Sequence, residues 1–241
     1  MTVREERVPY DVDGVEMVGT LFVDDAADGP RPSVLVFGGG TGFAPFHASR
    51  ARRLAELGYC AFGADHVGGG RVLGIDSPER AALFEGLTFE RRRLIGRAAH
   101  DALVERPACD RERLAAIGFC FGGGMAVQLA RTGVDLKAIV GFHPGISPTP
   151  EPEQNRNITG SVLMCCGTAD PLVPVEQVYG WLEQMTSAGV DCTVELYAGV
   201  GHVFTDPDAD SLGIEGCGYD RRADERSWAS MLRLFAETID A

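Results

Sequence analysis

The chain is predicted to form an α/β fold, a mostly parallel, doubly wound sheet preceded by an antiparallel hairpin, and three observations carry the prediction. First, apolar runs of strand length alternate with helical stretches along most of the sequence. Second, runs such as 32–37 and 161–166 lack polar alternation, which marks strands covered on both faces. Third, 241 residues with 45% apolar content suffice for the core of one large domain, taken as residues 1–241.

Each element has its own signal. Residues 7–12 and 16–23 read as two strands joined by the turn pair Asp13-Gly14. A polar loop over 24–30 leads to the strand 32–37, where the parallel part begins. A helix over 47–57 carries Ala51, Leu54, Ala55 and Leu57 at apolar positions, and a strand over 59–64 follows. Residues 66–77 form an irregular glycine-rich loop. Ser77 and Pro78 then open a helix as N-cap and first turn, and Thr88 opens another that runs to about Arg106. Arg91, Arg92 and Arg93 read as a solvated face of that second helix. Strand 113–117, helix 122–131 closed by Gly133, and strand 136–142 come next. Three prolines predict an irregular loop over 147–157. Strand 161–166, helix 175–188, strand 192–197, a long loop over 206–220 and a helix over 223–239 complete the chain.

Composition narrows the function. A formal net charge of −13 argues against nucleic acid and anionic membrane surfaces as partners. The first residues are charged, no signal sequence is read, and no run is long enough to span a bilayer, so a cytoplasmic location is expected. Seven cysteines, mostly within strand-like runs, are expected to be free thiols. The five histidines, His47, His66, His100, His143 and His202, make no ligand spacing, so neither a metal nor another cofactor is expected.

Chemistry concentrates in Gly118-Phe119-Cys120-Phe121-Gly122-Gly123-Gly124. Strand, one-residue turn and helix are the geometry that lifts a nucleophile above a parallel sheet, and small neighbours are required because the tip is strained and closely approached. Phe121 begins a helix, where unpaired N–H groups favour a thiolate and an oxyanion. A buried structural cysteine and a phosphate-binding turn are the plainer readings of this stretch. The loop Gly38-Gly39-Gly40-Thr41-Gly42 brings a second backbone N–H, that of Gly40, to an oxyanion hole. Its rival reading, a dinucleotide loop with Asp65 as the ribose acid, lacks the GxGxxG spacing. Two further residues follow strands, Asp170 in Thr168-Ala169-Asp170-Pro171 and His202 in Val200-Gly201-His202. Alone, the first reads as a helix cap and the second as a loop residue. Together, Cys120, Asp170 and His202 have the chain order nucleophile, acid, histidine of α/β hydrolases.

The chain resembles the dienelactone hydrolase family, whose members use a cysteine where most α/β hydrolases have serine. The resemblance rests on Gly118 to Gly123, on Gly167-Thr168-Ala169-Asp170-Pro171-Leu172-Val173-Pro174, and on Gly201-His202-Val203-Phe204 with Pro207-Asp208-Ala209 and Ser227-Trp228. It implies the α/β-hydrolase fold, and catalysis by Cys120, Asp170 and His202 without a cofactor. Gly39, His143 and Phe204 are the expected pocket residues, His143 having an ordinary hydrogen-bonded histidine as its alternative. Two positions depart from the family. Gly39 stands where the family carries a glutamate that can take the thiol proton, and Asp206 where it carries an arginine for a substrate carboxylate. Arg71 and Arg80 are other sources of a cation. The expected function is hydrolysis of a small ester or lactone through an acyl-thioester on Cys120. The alternative is a non-catalytic small-molecule binding protein on the same scaffold.

Overall fold

The computed structural model describes residues 2–26 and 29–240, so part of the polar loop expected over 24–30 lies outside the described residues. Strands β1 (Val3–Val12) and β2 (Val15–Asp24) pair antiparallel, Val12 opposite Val15. Asp13 and Gly14 between them both have positive φ, 52° and 78°, as a two-residue turn that follows the strand twist requires.

Strands β3 (Arg31–Phe37), β4 (Cys60–Ala64), β5 (Cys109–Phe119), β6 (Ala138–Phe142), β7 (Ser161–Gly167) and β8 (Cys192–Tyr197) are mutually parallel and extend the hairpin into one sheet. The order is β1-β2-β4-β3-β5-β6-β7-β8, with β2 antiparallel to β4. β5 therefore lies inside the sheet, and its carboxyl end opens beside those of β3 and β6, where ligands of such sheets bind.

Helices α1 (Pro45–Glu56) and α6 (Arg221–Thr238) cover one face, with Leu54, Ala55, Trp228, Met231 and Phe235 buried against Val36, Ile117 and Val140. Helices α3 (Phe89–Val104), α4 (Phe121–Ala130) and α5 (Val175–Ser187) cover the other. Every residue of α4 is buried, whereas helix α2 (Pro78–Gly86) buries none. Fully burying side chains of this kind stabilises by about 1.5–3 kcal/mol each.

Several boundaries differ from expectation. β5 begins at Cys109, because Arg31 pairs with Cys109 across a register shift that admits the polar stretch before Leu114. Within the stretch expected to be irregular, Pro152–Asn157 form a 3-10 turn. Pro152 opens it, where a preset φ helps and no N–H is needed. A second short 3-10 turn, Ala209–Leu212, lies in the long loop before α6. Ser77 precedes α2 but its side chain caps nothing, whereas the Thr88 hydroxyl accepts the Arg91 N–H at 3.2 Å. Arg91, Arg92 and Arg93 of α3 do not form a solvated face. Arg91 pairs with Asp13, Arg93 with Glu151, and the half-buried Arg92 lies over the Phe121 ring, 4.7 Å from its centroid.

Candidate active site

The chain turns sharply where β5 meets α4. Cys120 has φ 52° and ψ −120°, a conformation most side chains avoid and one that projects the thiol above the sheet. The turn is pinned by the Cys120 N–H on the Phe142 carbonyl at 3.0 Å, and by the Gly145 N–H on the Cys120 carbonyl at 2.7 Å. It closes only because its neighbours lack side chains. A Cβ on Gly118 would strike the Gly122 carbonyl, and one on Gly122 would strike the carbonyls of Phe37 and Gly38.

Asp170 follows β7 and His202 follows β8. The two loops are tied by the Ala169 N–H on the Val200 carbonyl at 2.9 Å. One Asp170 oxygen accepts the Leu172 and Val173 N–H groups at 2.8 and 3.0 Å, which fixes the carboxylate. The other accepts from His202 Nδ1 at 2.6 Å. His202 itself is held on both sides of its backbone by Gly216 and Gly218. Its Nε2 is buried and meets no hydrogen-bond partner among the described residues, and the charge of the nearby Cys120 acts on the ring.

The electrostatics follow from this placement. Burial opposes charge on both partners, and their mutual interaction overcomes it. Burial pushes the Cys120 thiol up, but the His202 ring and the backbone N–H groups of Phe121 and Gly40 bring it below its ordinary value. Burial lowers the basicity of His202, while Asp170 and Cys120 raise it, to about 10. Each of these shifts favours the charged form of the other partner. The backbone N–H groups of Phe121 and Gly40 are thus among the groups that stabilise charge on the sulfur.

The expected pocket residues separate. Gly39 lies beside the thiol, where an added Cβ would stand 3.9 Å from Cys120 Cβ and 3.5 Å from His47 Nε2. Phe204 and His143 have 0% and 2% exposure, so they stand behind His202 and line no open surface. The His143 ring meets His202 and Phe204 edge-on, each at 5.1 Å between centroids, and its Nε2 bonds the Thr205 hydroxyl at 2.8 Å. Burial, then the nearby charge on His202, holds His143 well below the usual imidazole range. Of the two cationic candidates, Arg71 pairs with Glu79, whereas Arg80 Nε donates to the Gly40 carbonyl at 2.9 Å, next to the thiol. Asp206 is half-buried; burial raises its carboxyl, and its Oδ1 accepts the Asp208 N–H at 3.0 Å. Asp65, the rival ribose acid, accepts the Val18, Val67, Gly68 and Gly70 N–H groups and so serves as a backbone knot.

Sequence reasoning passed over two features. Arg50, on α1, bonds the Thr205 carbonyl at 2.6 Å and the Asp224 carboxylate at 2.9 Å, bracing the loop behind His202. No local pattern announces partners so far apart in the chain. His47, also on α1, reaches back to Gly39 and Ala44. Its place in the first turn of a helix that follows a glycine loop was the available signal.

Among the described residues no group of acids, histidines and cysteines is arranged to hold a metal ion, and no helix is long and apolar enough to cross a membrane.

Comparison with known proteins agrees with the geometry. Residues 17–239 match the dienelactone hydrolase family. The dienelactone hydrolase-like promiscuous phosphotriesterase P91, from metagenomic libraries, is 38% identical with a TM-score of 0.93, covering 98% of this chain and 99% of that one. The solved structure m3DLH is 40% identical, also with a TM-score of 0.93, covering 99% of this chain and 100% of that one. An uncharacterized protein of Caenorhabditis elegans is 31% identical over 143 residues, 59% of this chain and 90% of that protein.

Proposed function

Because this chain belongs to the dienelactone hydrolase family, we propose that it hydrolyses small carboxylic esters or lactones through an acyl-thioester on Cys120. The observation that carries the reading is the 2.6 Å contact between His202 Nδ1 and Asp170, with the Cys120 thiol on the other side of the same ring. The thiolate attacks the carbonyl carbon, forming a C–S bond, and the carbonyl oxygen takes the charge facing the Gly40 and Phe121 N–H groups. His202 gives its proton to the departing alkoxide as the C–O bond breaks; in a lactone that oxygen stays on the acyl chain. Water then adds to the thioester, His202 taking its proton, and the acid leaves as the C–S bond breaks. Asp170 keeps the imidazole oriented throughout and stabilises it whenever it carries the proton.

The substrate is read as neutral. Asp206 stands where the family arginine would meet a carboxylate, and its own charge opposes an anionic substrate. A second substrate class has support from P91, named as a promiscuous phosphotriesterase at 38% identity. A neutral aryl phosphotriester offers phosphorus to the same thiolate and an oxygen to the same two N–H groups.

The test compares wild type with Cys120→Ala on a neutral aryl ester, dienelactone and a neutral aryl phosphotriester. The neutral ester is expected to turn over, with a loss of roughly 10³-fold or more in the variant. Dienelactone is expected to be the poorer carboxylic substrate. Equal rates for wild type and variant, or tight ligand binding without turnover, would overturn the reading in favour of a binding protein.

A further inference from the structure

The loop that brings the Gly40 N–H to the sulfur contains Gly38, Gly39, Gly40 and Gly42, residues with large conformational freedom. A donor on such a loop is useful only if the backbone is held before the reaction, since preorganisation is what makes an oxyanion contact effective. The loop's carbonyls are held by the Gly42 N–H on Gly39 at 3.0 Å, Arg80 Nε on Gly40 at 2.9 Å and the Leu73 N–H on Thr41 at 2.8 Å, whereas the Gly39 N–H has only an isolated bridge to Gly42 besides the His47 ring.

We infer that His47 is the positioning residue of this loop, its imidazole Nε2 accepting the Gly39 N–H at 3.1 Å and so setting the next peptide, that of Gly40, against the Cys120 sulfur. The inference rests on the reading of Cys120 as nucleophile with Gly40 as an oxyanion donor. Three observations support it. The ring is 7% exposed and packed between Phe43, Phe46 and Phe119, at 6.0, 5.2 and 5.6 Å between centroids, so it is a rigid anchor. A neutral imidazole has one acceptor nitrogen. Nδ1 also lies 3.0 Å from the Ala44 N–H; in the tautomer that frees Nε2 this N–H turns to the Gly42 carbonyl at 3.1 Å instead of Nδ1, and both backbone donors keep an acceptor. Finally, the ring lies against the loop beside Cys120, since a Cβ built at position 39 would stand in ordinary contact with both, 3.5 Å from His47 Nε2 and 3.9 Å from Cys120 Cβ. Burial keeps the ring neutral, aided by His66 and Arg50, holding its pKa at about 3, so the acceptor survives at every pH at which the enzyme folds well.

The test uses His47→Met and His47→Gln, two unbranched replacements of similar volume of which only the second offers a strong acceptor. Three readings are taken: kcat and KM on the neutral ester, the pH profile of Cys120 alkylation by iodoacetamide, and the imidazole ¹⁵N shift of His47 in wild type. In H47M, kcat is expected to fall about tenfold or more with KM within about twofold, and the alkylation profile to move to higher pH. H47Q is expected to recover most of both, and Nε2 in wild type to show the unprotonated shift across neutral pH. An H47M profile that matches wild type overturns the inference, as does an H47Q variant that folds and yet fails like H47M. A protonated Nε2 in wild type overturns it even if neither variant folds. If wild type turns over no ester, the substrate reading falls, and the alkylation profile and the nitrogen shift still decide the role of His47.

Discussion

Cys120 holds its φ of 52° at a cost of order 1–3 kcal/mol, and the cost has a use: the same turn places the thiol at the N-terminus of α4 and across from His202. The thiol owes its lowered pKa in part to the charge on His202, and His202 owes its own elevation to about 10 in part to Asp170. Asp170→Asn removes that support. His202 then loses its proton at lower pH, the thiolate loses its counter-charge, and the Cys120 pKa rises. The expected result is a fall in kcat/KM of roughly 10²–10⁴-fold, as when a triad acid becomes an amide. Cys120 alkylation should move to higher pH in the same variant. An unmoved alkylation profile would show that the pair is not coupled in this way.

Among the elements, α4 is the most constrained, being buried along its whole length and entered through the elbow glycines. Gly122→Ala puts a methyl group onto the carbonyls of Phe37 and Gly38, backbone atoms that cannot rotate away. A destabilisation of about 1–3 kcal/mol is expected, with loss of activity because the end of β3 and the glycine loop that follows it are pushed aside from Cys120. Urea unfolding reads the first and ester turnover the second. Helices α1 and α6 are joined differently, through a buried ion pair. The side chains of Arg50 and Asp224 are 9% and 11% exposed and 2.9 Å apart. Arg50→Met leaves Asp224 buried without its partner and is expected to cost about 3–5 kcal/mol in urea. Adding Asp224→Leu should recover part of that loss, since the orphaned charge is then gone.

For the molecule as a whole, the buried histidines set the pH dependence of folding. His47 and His66 titrate at about 3 and 4, and His143 well below the usual range, each chiefly because burial disfavours the charged ring. Unfolded, all three return to about 6.5. The unfolded chain therefore binds more protons below that value, and stability present above it is lost as the pH falls from 6.5 toward 4. The loss is about 1.4 kcal/mol per pH unit for each histidine involved. His202 has the opposite sign. Raised to about 10, it makes a contribution of its own that is complete below 6.5 and declines as the pH rises to 10, but the lowered Cys120 thiol it faces offsets that decline up to the ordinary thiol range, where the unfolded thiol also loses its proton. Urea midpoints taken across this range should peak near neutrality and fall more steeply on the acid side. A flat acid limb would show that the three rings are not buried neutral.

The alternation of apolar runs and helical stretches determined the fold class, because a strand covered on both faces and a helix covered on one leave different periods in the chain. The sequence also carried the elbow, since Gly118 is demanded by Gly122 a few residues away, although Gly122 answers to Phe37 and Gly38 at the distant end of β3. The strand ends bearing Asp170 and His202 were legible for the same reason: each is announced by the run that precedes it. What tertiary structure alone decided was the surroundings of these groups. Phe204 was expected to line a pocket and instead stands buried behind His202, and of the two readings of His143 the structure takes the hydrogen-bonded one, a matter of which side of the ring they pack on. Arg92 was expected in solvent and lies over Phe121, while Arg50 finds Thr205 and Asp224 from α1. A local pattern records the period of an element and the shape of its turns. It does not record which distant side chain fills the space beside a reactive atom, and in this protein the packing around Cys120, from His47 on one side to His143 behind His202, is of that kind.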